Sequence, residues 1–482
     1  MKNTVARFTI SLHICFIFFS HLLHAVPRFD PRLISEEELS QLIEESKKEE
    51  EGTSPIRGIQ TKKPVTFMVY IAADNDLHYF AWKNIKQMEL IGSNENINIV
   101  IQLNTPGYLN TTKRYVIQKG KRILVQEQEP LNKKLNSGSP YTLIDFVEWA
   151  VTNYPADYLY LDLWNHGTGA IDPGYVKTIN PCDLFYCNPS NNMLELDRGL
   201  SYLSLILQQL NEERFAPKRG MCFDETFRSY INNHDFEFAL REISTKILNG
   251  KKLDIISFDA CLMSMVEVAS AAKKYAHYMV GSQEVEYGTG WDYELVLRPF
   301  LQKALAPKEF AQHIVSAYEQ AYFKITNEYT QSALDLTVCE ALEQNIDTVS
   351  SLLLEAFAAS NYAQTANILR KCKSTQYCTC FDEPSYIDIG HFYKNIQQHL
   401  QYINITDPNK KALIQEQLNT AIAEGLAIIN SLVIANKTGQ KLKGAQGVSI
   451  YFPEHTLLQS YLKSTFASSN SWGKLLTKYI FG

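Results

Sequence analysis

The chain is poor in the residues that mark fibrous and low-complexity proteins. Its 482 residues include only 22 Gly and 17 Pro, which excludes a collagen-like repeat and a flexible Gly- or Pro-rich chain. An excess of positive charge is also missing, since 46 Lys and Arg stand against 52 Asp and Glu, for a net charge of −6. Proteins that neutralise nucleic-acid phosphates carry such an excess. We therefore expect no nucleic-acid partner.

Nucleotide-binding motifs are missing as well. The segments His166–Gly169 (HGTG) and Tyr287–Gly290 (YGTG) do not match the GxGxxG pattern, and no Walker-type phosphate loop occurs. An α/β enzyme that uses a bound nucleotide is therefore disfavoured.

Long apolar runs are confined to the beginning of the chain. Lys2 and Arg7 precede the apolar run Phe8–Leu23, and the small Ala25 follows it. This pattern is typical of a secretory signal peptide over residues 1–25, and an uncleaved membrane anchor is the alternative. We expect an exported protein, either secreted or held in the periplasm or cell envelope. No stable membrane span should remain after the signal is removed.

The rest of the chain divides by composition. Residues 26–62 are polar and mostly acidic, which indicates a leader or pro-segment. From residue 63 onward, apolar β-branched runs alternate with helical spacing, which predicts an α/β fold with a mostly parallel sheet. Residues 341–482 are predicted to be mainly helical, with helices over Tyr386–Leu400 and Lys411–Val433 and one strand near residues 446–452. Strands of the sheet are expected at Val65–Ala72, Asn96–Leu103, Asp157–Trp164, Leu253–Phe258 and Tyr278–Ser282.

Most of the nine cysteines have no assigned role. In an oxidising compartment Cys182 and Cys187 form one plausible disulfide neighbourhood, and Cys372, Cys378 and Cys380 form another. The second group lacks the additional ligand pair of a zinc site, so a metal role for it is disfavoured.

Two strand ends carry residues with reactive side chains. The strand Asp157–Trp164 runs into His166, and the strand Leu253–Phe258 runs into Cys261 and a predicted helix over Met263–Lys274. Reactive groups of parallel α/β sheets lie at the carboxyl ends of strands, and a thiol beside an imidazole is an activated nucleophile. The alternatives are a buried core cysteine and a histidine that caps backbone groups.

Asp259 precedes Cys261 by two positions, so both side chains project to the same side of an extended strand. A carboxylate raises the pKa of a neighbouring thiol, which makes it a poor partner for a thiolate. The position of Asp259 beside the thiol is explained if its carboxylate binds a cationic group of a substrate. The alternative is that Asp259 caps the following helix.

With these residues the chain resembles the clostripain family of cysteine peptidases, which are relatives of caspases, legumain and gingipains. Five segments carry the resemblance, in the order in which the family has them. They are Phe67–Leu77 (FMVYIAADNDL), Tyr160–Gly169 (YLDLWNHGTG), Ile256–Ala269 (ISFDACLMSMVEVA), Gly281–Glu294 (GSQEVEYGTGWDYE) and Gly447–Pro453 (GVSIYFP).

The resemblance implies a caspase-like αβα sandwich over residues 63–340 with a C-terminal helical extension. It implies that His166 is the catalytic histidine, that Cys261 is the nucleophile and that Asp259 selects Arg or Lys before the cleaved bond. The backbone N–H groups of Gly167 and Cys261 would then stabilise the oxyanion. Glu284, Glu286 and Asp292 are further candidates for lining the pocket, and the sequence does not choose among them.

Family members are often made as precursors that cut themselves in the loop after the histidine strand. Here residues 170–220 would be this activation loop, with Lys218 or Arg219 as the processing site and the two pieces remaining associated. A monomer or a self-cleaved two-chain form is therefore expected. Some relatives need calcium, so calcium is possible here. However, no EF-hand loop occurs, and the pair Asp74 and Asp76 is too small a group to predict a calcium site. The chemistry itself requires no cofactor.

The resulting hypothesis is a secreted cysteine endopeptidase that acts on peptides or proteins with Arg or Lys. The alternative is a non-catalytic binding protein on a peptidase scaffold, because a fold alone does not establish an activity.

Overall fold

The computed structural model describes residues 61–107, 111–125, 133–171, 184–198 and 220–482, with a few positions between residues 37 and 44. The predicted signal peptide and the proposed processing residues Lys218 and Arg219 lie outside the described residues. So does Cys182.

A nine-stranded mixed sheet forms the centre of the molecule, in the order β14-β12-β11-β10-β5-β1-β2-β3-β4. The five middle strands, from β11 to β2, are parallel to one another, and the two outer strands on each side pair antiparallel. The strands are β1 (Lys63–Ala72), β2 (Ile97–Asn104), β3 (Lys113–Gln118), β4 (Lys121–Leu124), β5 (Ala156–Trp164), β6 (Phe185–Asn188), β7 (Met193–Leu196), β8 (Met221–Asp224), β9 (Ser229–Ile231), β10 (Leu253–Asp259), β11 (Ala276–Gly281), β12 (Thr330–Asp335), β13 (Tyr386–Asp388), β14 (Val433–Thr438) and β15 (Ser449–Tyr451).

Helices cover both faces of the sheet. The α-helices are α1 (His78–Ile91), α2 (Pro140–Asn153), α3 (Asn233–Glu242), α4 (Val266–Ala272), α5 (Tyr293–Leu297), α6 (Pro307–Tyr322), α7 (Cys339–Ala359), α8 (Tyr362–Lys373), α9 (Ile389–His399), α10 (Pro408–Leu432), α11 (Gln459–Leu462), α12 (Thr465–Ser469) and α13 (Ser471–Phe481). A π-helical turn (Ile243–Ile247) and 3₁₀ helices (Arg298–Leu301, Leu336–Val338, Leu400–Tyr402, Gln440–Leu442) complete the elements. None of the helices in the described ranges is long and apolar enough to cross a membrane.

The two faces of the sheet belong to two hydrophobic cores. Along β1, Phe67 and Val69 join the core under α1, α5 and α6, whereas Met68 and Tyr70 join the core under α2, α3, α4 and the C-terminal helices. A strand that is buried on both faces needs a nearly continuous apolar sequence. The predicted α/β sandwich with a mostly parallel sheet is therefore confirmed, and its five predicted strands coincide with β1, β2, β5, β10 and β11 to within a few residues.

The helix expected over Met263–Lys274 is shorter than predicted. It begins at Val266, because the segment before it is tied to the end of β11, where the Ser264 N–H donates to the Ser282 carbonyl over 2.8 Å. This hydrogen bond holds the turn that follows Cys261 against the end of β11.

The C-terminal region contains more strand than predicted. The predicted strand near residues 446–452 coincides with β15, and β13 and β14, which were not predicted, occur in addition to it. The expected helix over Tyr386–Leu400 begins only at Ile389, since Asp388 caps it and accepts a hydrogen bond from the His391 N–H over 2.7 Å. The strand β14 forms one edge of the main sheet. The C-terminal helices pack into the same hydrophobic core as one face of this sheet.

Candidate active site

The ends of β5 and β10 bring His166 and Cys261 to the same place. The two strands are parallel neighbours in which Trp164 pairs with Asp259, and the Asn165 N–H donates to the Asp259 carbonyl over 3.2 Å. His166 and Cys261 each lie two positions beyond this pair. Neighbouring strands lie about 4.8 Å apart. Both residues line one small cavity of about 20 Å³.

The imidazole of His166 is buried and is held by a carboxylate. Its side chain is 1% exposed, and Nε2 lies 2.8 Å from Oδ1 of Asp76 in the turn after β1. The preceding Asn165 anchors this loop, because its Oδ1 accepts a hydrogen bond from the Phe223 N–H over 2.7 Å. The sequence did not assign Asp76 a role. Its position in a turn at the carboxyl end of the strand next to β5 is the signal that could have found it.

The thiol of Cys261 is enclosed by the segment after β11. It is 3% exposed, its Sγ accepts a hydrogen bond from the Glu286 N–H over 3.3 Å, and it lies 3.7 Å from the Glu286 carbonyl. Burial, and to a lesser degree the negative charges of Glu286 and Asp382, raise the pKa of the Cys261 thiol well above its ordinary value. In this closed arrangement the sulfur is a protonated thiol, and a base must remove its proton before it can attack.

Gly167 lets the histidine loop pack against the cysteine loop. A Cβ atom at Gly167 would lie 2.5 Å from the Cys261 carbonyl oxygen and 2.8 Å from Sδ of Met263. Any larger residue would push the two loops apart. The structure therefore brings together the two main-chain segments that contain the predicted oxyanion donors, Gly167 and Cys261.

Asp259 does not cap the following helix. Helix α4 begins after Met265, which makes no side-chain cap. The Asp259 carboxylate, which is 4% exposed, instead accepts hydrogen bonds from the Trp291 N–H (3.1 Å) and the Tyr293 hydroxyl (2.9 Å). Gly290 permits this approach, since a Cβ there would lie 2.5 Å from Oδ1 of Asp259 and the residue has a positive φ of 59°.

Asp259 belongs to a group of three buried carboxyl groups, which we name the carboxylate cluster: Asp162, Asp259 and Glu286. The Tyr293 hydroxyl lies 2.7 Å from Asp162 and 2.9 Å from Asp259, and Ser257 donates to Asp162 over 2.7 Å. One hydroxyl hydrogen cannot serve both carboxylates, so at least one member of the cluster needs a proton of its own.

Burial is the main reason why the cluster holds protons. It raises the pKa of Asp162 to about 7 and that of Asp259 to about 6. Burial, followed by the charge of Asp259, raises the pKa of Glu286 well above its ordinary value. Among the described residues, no Lys or Arg forms an ion pair with any member of the cluster. A buried anionic group without a basic partner is suited to a cation from outside.

Comparison with known proteins gives the family. The sequence model of the clostripain family matches residues 69–192 and 208–478. The chain belongs to the clostripain family. Clostripain from Hathewaya histolytica is 24% identical over 256 residues, which are 48% of this chain and 41% of that protein. The match thus spans less than half of the relative's length.

Solved structures show the same fold. A secreted C11 cysteine protease from Bacteroides thetaiotaomicron, in complex with an irreversible peptide inhibitor, has a TM-score of 0.51 at 19% identity and covers 86% of this chain and 99% of its own. An inactive zymogen C11 protease from Parabacteroides distasonis has a TM-score of 0.52 at 18% identity, with 87% and 99% covered. The sandwich described above is therefore the fold of this family.

The three acidic candidates that follow β11 have different roles in this clostripain-family chain. Of these three, only Glu286 lines the cavity, together with His166, Cys261 and Asp259. Glu284 accepts a hydrogen bond from the Asp382 N–H over 2.9 Å and pairs with Arg198 over 3.0 Å. Asp292 caps α5 by accepting a hydrogen bond from the Leu295 N–H over 3.1 Å. Asp162, which sequence reasoning missed, does not line the cavity and is joined to Asp259 through the Tyr293 hydroxyl.

The described part of the 170–220 segment packs against the site. Residues 184–198 form the β6–β7 hairpin, and the ring of Phe185 stacks on Tyr287 with centroids 4.0 Å apart. Tyr287 itself lines the cavity. Arg198 joins the same segment to Glu284 and, over 3.3 Å, to Glu328. This hairpin therefore contributes to the closure of the cavity.

Neither disulfides nor a metal site occur among the described residues. Every described cysteine is free, including Cys187 and the group Cys372, Cys378 and Cys380, so this plausible disulfide neighbourhood holds no disulfide in the structure. In the described ranges, no three His, Cys, Asp or Glu side chains converge as metal ligands. Asp74 and Asp76 do not fit a calcium site, because Asp74 pairs with Lys134 over 2.7 Å and Asp76 binds His166.

Proposed function

We propose that this protein is a cysteine endopeptidase that cleaves after Arg or Lys. Cys261 is the nucleophile and His166 is the general base and acid. The observation that carries the proposal is the shared cavity, which the thiol and the imidazole line together with Asp259 and Glu286 of the carboxylate cluster. Membership of the clostripain family supports the same chemistry.

The reaction follows from the order in which protons move. His166 takes the proton from Sγ of Cys261, and the thiolate attacks the carbonyl carbon of the scissile bond. The backbone N–H groups of Gly167 and Cys261 stabilise the resulting oxyanion. His166 then protonates the leaving amine, a thioester remains on Cys261, and water hydrolyses it with His166 as base.

Selectivity for Arg or Lys rests on Asp259. A guanidinium presents several N–H donors in a planar fork that matches a carboxylate, and a buried pair of this kind is strong and directional. The other two members of the cluster add negative potential around it when they are ionised. A neutral or acidic side chain would leave these buried carboxyl groups without a cation.

The cavity must open before a substrate can enter. A volume of about 20 Å³ holds about one water molecule and no arginine side chain. We propose that self-cleavage at Lys218 or Arg219 accompanies this opening. The residues immediately after this site are buried, including Met221 and Phe223, and Phe223 binds Asn165 beside His166. A cut there would alter the segment whose Phe223 N–H donates to Asn165, and with it the loop that contains His166.

The two pieces should remain together after such a cut. The strand β5 would belong to one piece and β10 to the other, and these strands are hydrogen-bonded neighbours at the centre of the sheet. Denaturing gels of the purified protein test this proposal. Wild type should give two bands that co-elute in gel filtration, and Cys261→Ala should give one; a single intact band for active wild type would exclude it.

Export and cofactor use are separate parts of the proposal. Sequencing the N-terminus of the exported protein should show that residues 1–25 have been removed. We propose that the chemistry requires no cofactor, so turnover should persist after treatment with EDTA. Loss of turnover that added calcium restores would show a calcium requirement, as the resemblance to the family allows.

The central test compares Cys261→Ala with Cys187→Ala. Reporter peptides with Arg, Lys, Asp or Asn before the scissile bond should be cleaved only after Arg or Lys. Cys261→Ala should abolish turnover, whereas Cys187→Ala should not, because Cys187 is exposed and lies outside the cavity. Turnover retained without Cys261 would contradict the mechanism. Absence of both turnover and iodoacetamide labelling at Cys261 would favour a non-catalytic binding protein.

A further inference from the structure

We propose that Asp76 is a positioning residue for His166, which holds Nε2 so that Nδ1 is the nitrogen that serves the Cys261 thiol. This inference rests on the proposed role of His166 as the base. Asp76 lies 90 positions before His166 in the chain. Only the pairing of β1 with β5 brings the two together.

The contact determines which imidazole nitrogen carries a proton. Nε2 of His166 lies 2.8 Å from Oδ1 of Asp76. An ionised carboxylate only accepts hydrogen bonds, so Nε2 must be the protonated nitrogen of the neutral ring. Nδ1 is then unprotonated and can take a proton from a thiol. Without Asp76 the ring could adopt the other tautomer or rotate, and either change removes the base.

The turn that carries Asp76 is held by contacts that do not involve the imidazole. The Asn75 side chain donates to the Ala72 carbonyl over 3.0 Å and to the Phe223 carbonyl over 2.9 Å, and it accepts a hydrogen bond from the Leu77 N–H over 3.0 Å. Asp74 is fixed by Lys134 over 2.7 Å. The carboxylate of Asp76 is therefore placed before substrate arrives, as positioning requires.

The charge of Asp76 matters most after the proton has moved. Once His166 accepts the thiol proton, the ring is a buried imidazolium with 1% exposure, and the carboxylate stabilises it at hydrogen-bond distance. The Asp76 side chain itself is 22% exposed and lies outside the cavity lining. Its removal should therefore affect the chemical step much more than substrate binding or folding.

Three variants test the role: Asp76→Ala, Asp76→Asn and the control Glu95→Gln. With an arginyl reporter, Asp76→Ala should lower kcat on the order of 10²-fold, with KM within about threefold of wild type. Asp76→Asn keeps an oxygen that can accept the Nε2 hydrogen but loses the charge, so its kcat should fall between those of wild type and Asp76→Ala. Glu95→Gln removes an exposed acidic charge just before β2, at the opposite end of the sheet from His166, and should leave kcat within about threefold of wild type.

A second measurement does not depend on turnover. The rate at which iodoacetamide alkylates Cys261 should fall in Asp76→Ala across the pH range, because the thiol has lost an aligned base, while the thermal unfolding midpoint changes little. Unchanged kcat and unchanged alkylation in Asp76→Ala would overturn the positioning role. An equal loss of kcat in Glu95→Gln would also overturn it, since the effect would then follow from the loss of any negative charge.

Failure of this inference can be told apart from failure of the proposed function. Turnover by wild type that disappears in Cys261→Ala establishes the function whatever Asp76 does. An unaffected Asp76→Ala enzyme would then reject the positioning role alone.

Discussion

Acidification should weaken the binding of a guanidinium ligand to the carboxylate cluster. Burial raises the pKa of Asp259 to about 6 and that of Asp162 to about 7, so both groups gain protons in a range where exposed carboxyl groups remain ionised. A cation binds the ionised cluster and competes with these protons. Its affinity must therefore fall as the pH decreases through 7 and 6.

The size of the effect depends on how many protons must leave. If only Asp259 has to ionise, the Kd should rise by roughly tenfold from pH 7 to pH 5. If Asp162 must ionise as well, the two losses multiply, and the Kd should rise by roughly 500-fold over the same interval. Burial, followed by the charge of Asp259, also raises the pKa of Glu286 well above its ordinary value, so Glu286 favours its neutral form more than an exposed carboxyl group does.

The assay is the inhibition constant of a small guanidinium compound such as agmatine, measured against an arginyl reporter between about pH 5 and pH 8. An inhibition constant reports binding and is separate from the proton transfers of catalysis. Calorimetry in buffers of different ionisation enthalpy should show that protons are released when the ligand binds at about pH 6.

Two isosteric variants provide the control. Asp259→Asn should remove both tight binding and most of its pH dependence. Glu286→Gln keeps the shape of a carboxyl group whose pKa burial raises well above its ordinary value, so it should reduce both much less than Asp259→Asn does. A pH-independent inhibition constant in wild type, or equal damage from the two substitutions, would refute the account of the cluster.

The other predictions concern the geometry and stability of the site. Gly290→Ala should abolish selectivity for Arg, because the new methyl group would meet the Asp259 carboxylate at 2.5 Å. Gly250→Ala is the control for backbone strain, since Gly250 also has a positive φ but has open space around it. Equal selectivity for Arg in the two variants would contradict the role of this contact. Asp162 binds its proton more tightly in the folded chain, so its contribution to stability is lost as the pH rises from about 4 to about 7. Asp162→Asn should therefore raise the unfolding midpoint by a few degrees at about pH 8 and much less at about pH 5, as calorimetry can check. A larger increase of the unfolding midpoint at about pH 5 than at about pH 8 would contradict the predicted direction of the effect.

The local pattern of apolar residues was sufficient to predict the central strands of the sheet. The runs at β1, β5 and β10 are mostly apolar because most of their residues are buried on both faces of the sheet, and this pattern is visible within each segment. It failed at β13 and β14, where short strands border long helices. Tyr386–Asp388 and Val433–Thr438 become strands only because a partner strand is available to them.

The amino-acid sequence by itself determined the strands, the positions of His166 and Cys261 at two strand ends, and the acid two positions before the thiol. These features depend on residue type and on spacing within one segment. Only the tertiary structure decided that β5 and β10 are neighbours and that Asp76, Asp162 and Glu286 converge on the same place. These residues come from distant parts of the chain, and no local pattern encodes the distance between them. The order of strands in the sheet and the burial that follows from it establish that distance and the protonation of the carboxyl groups.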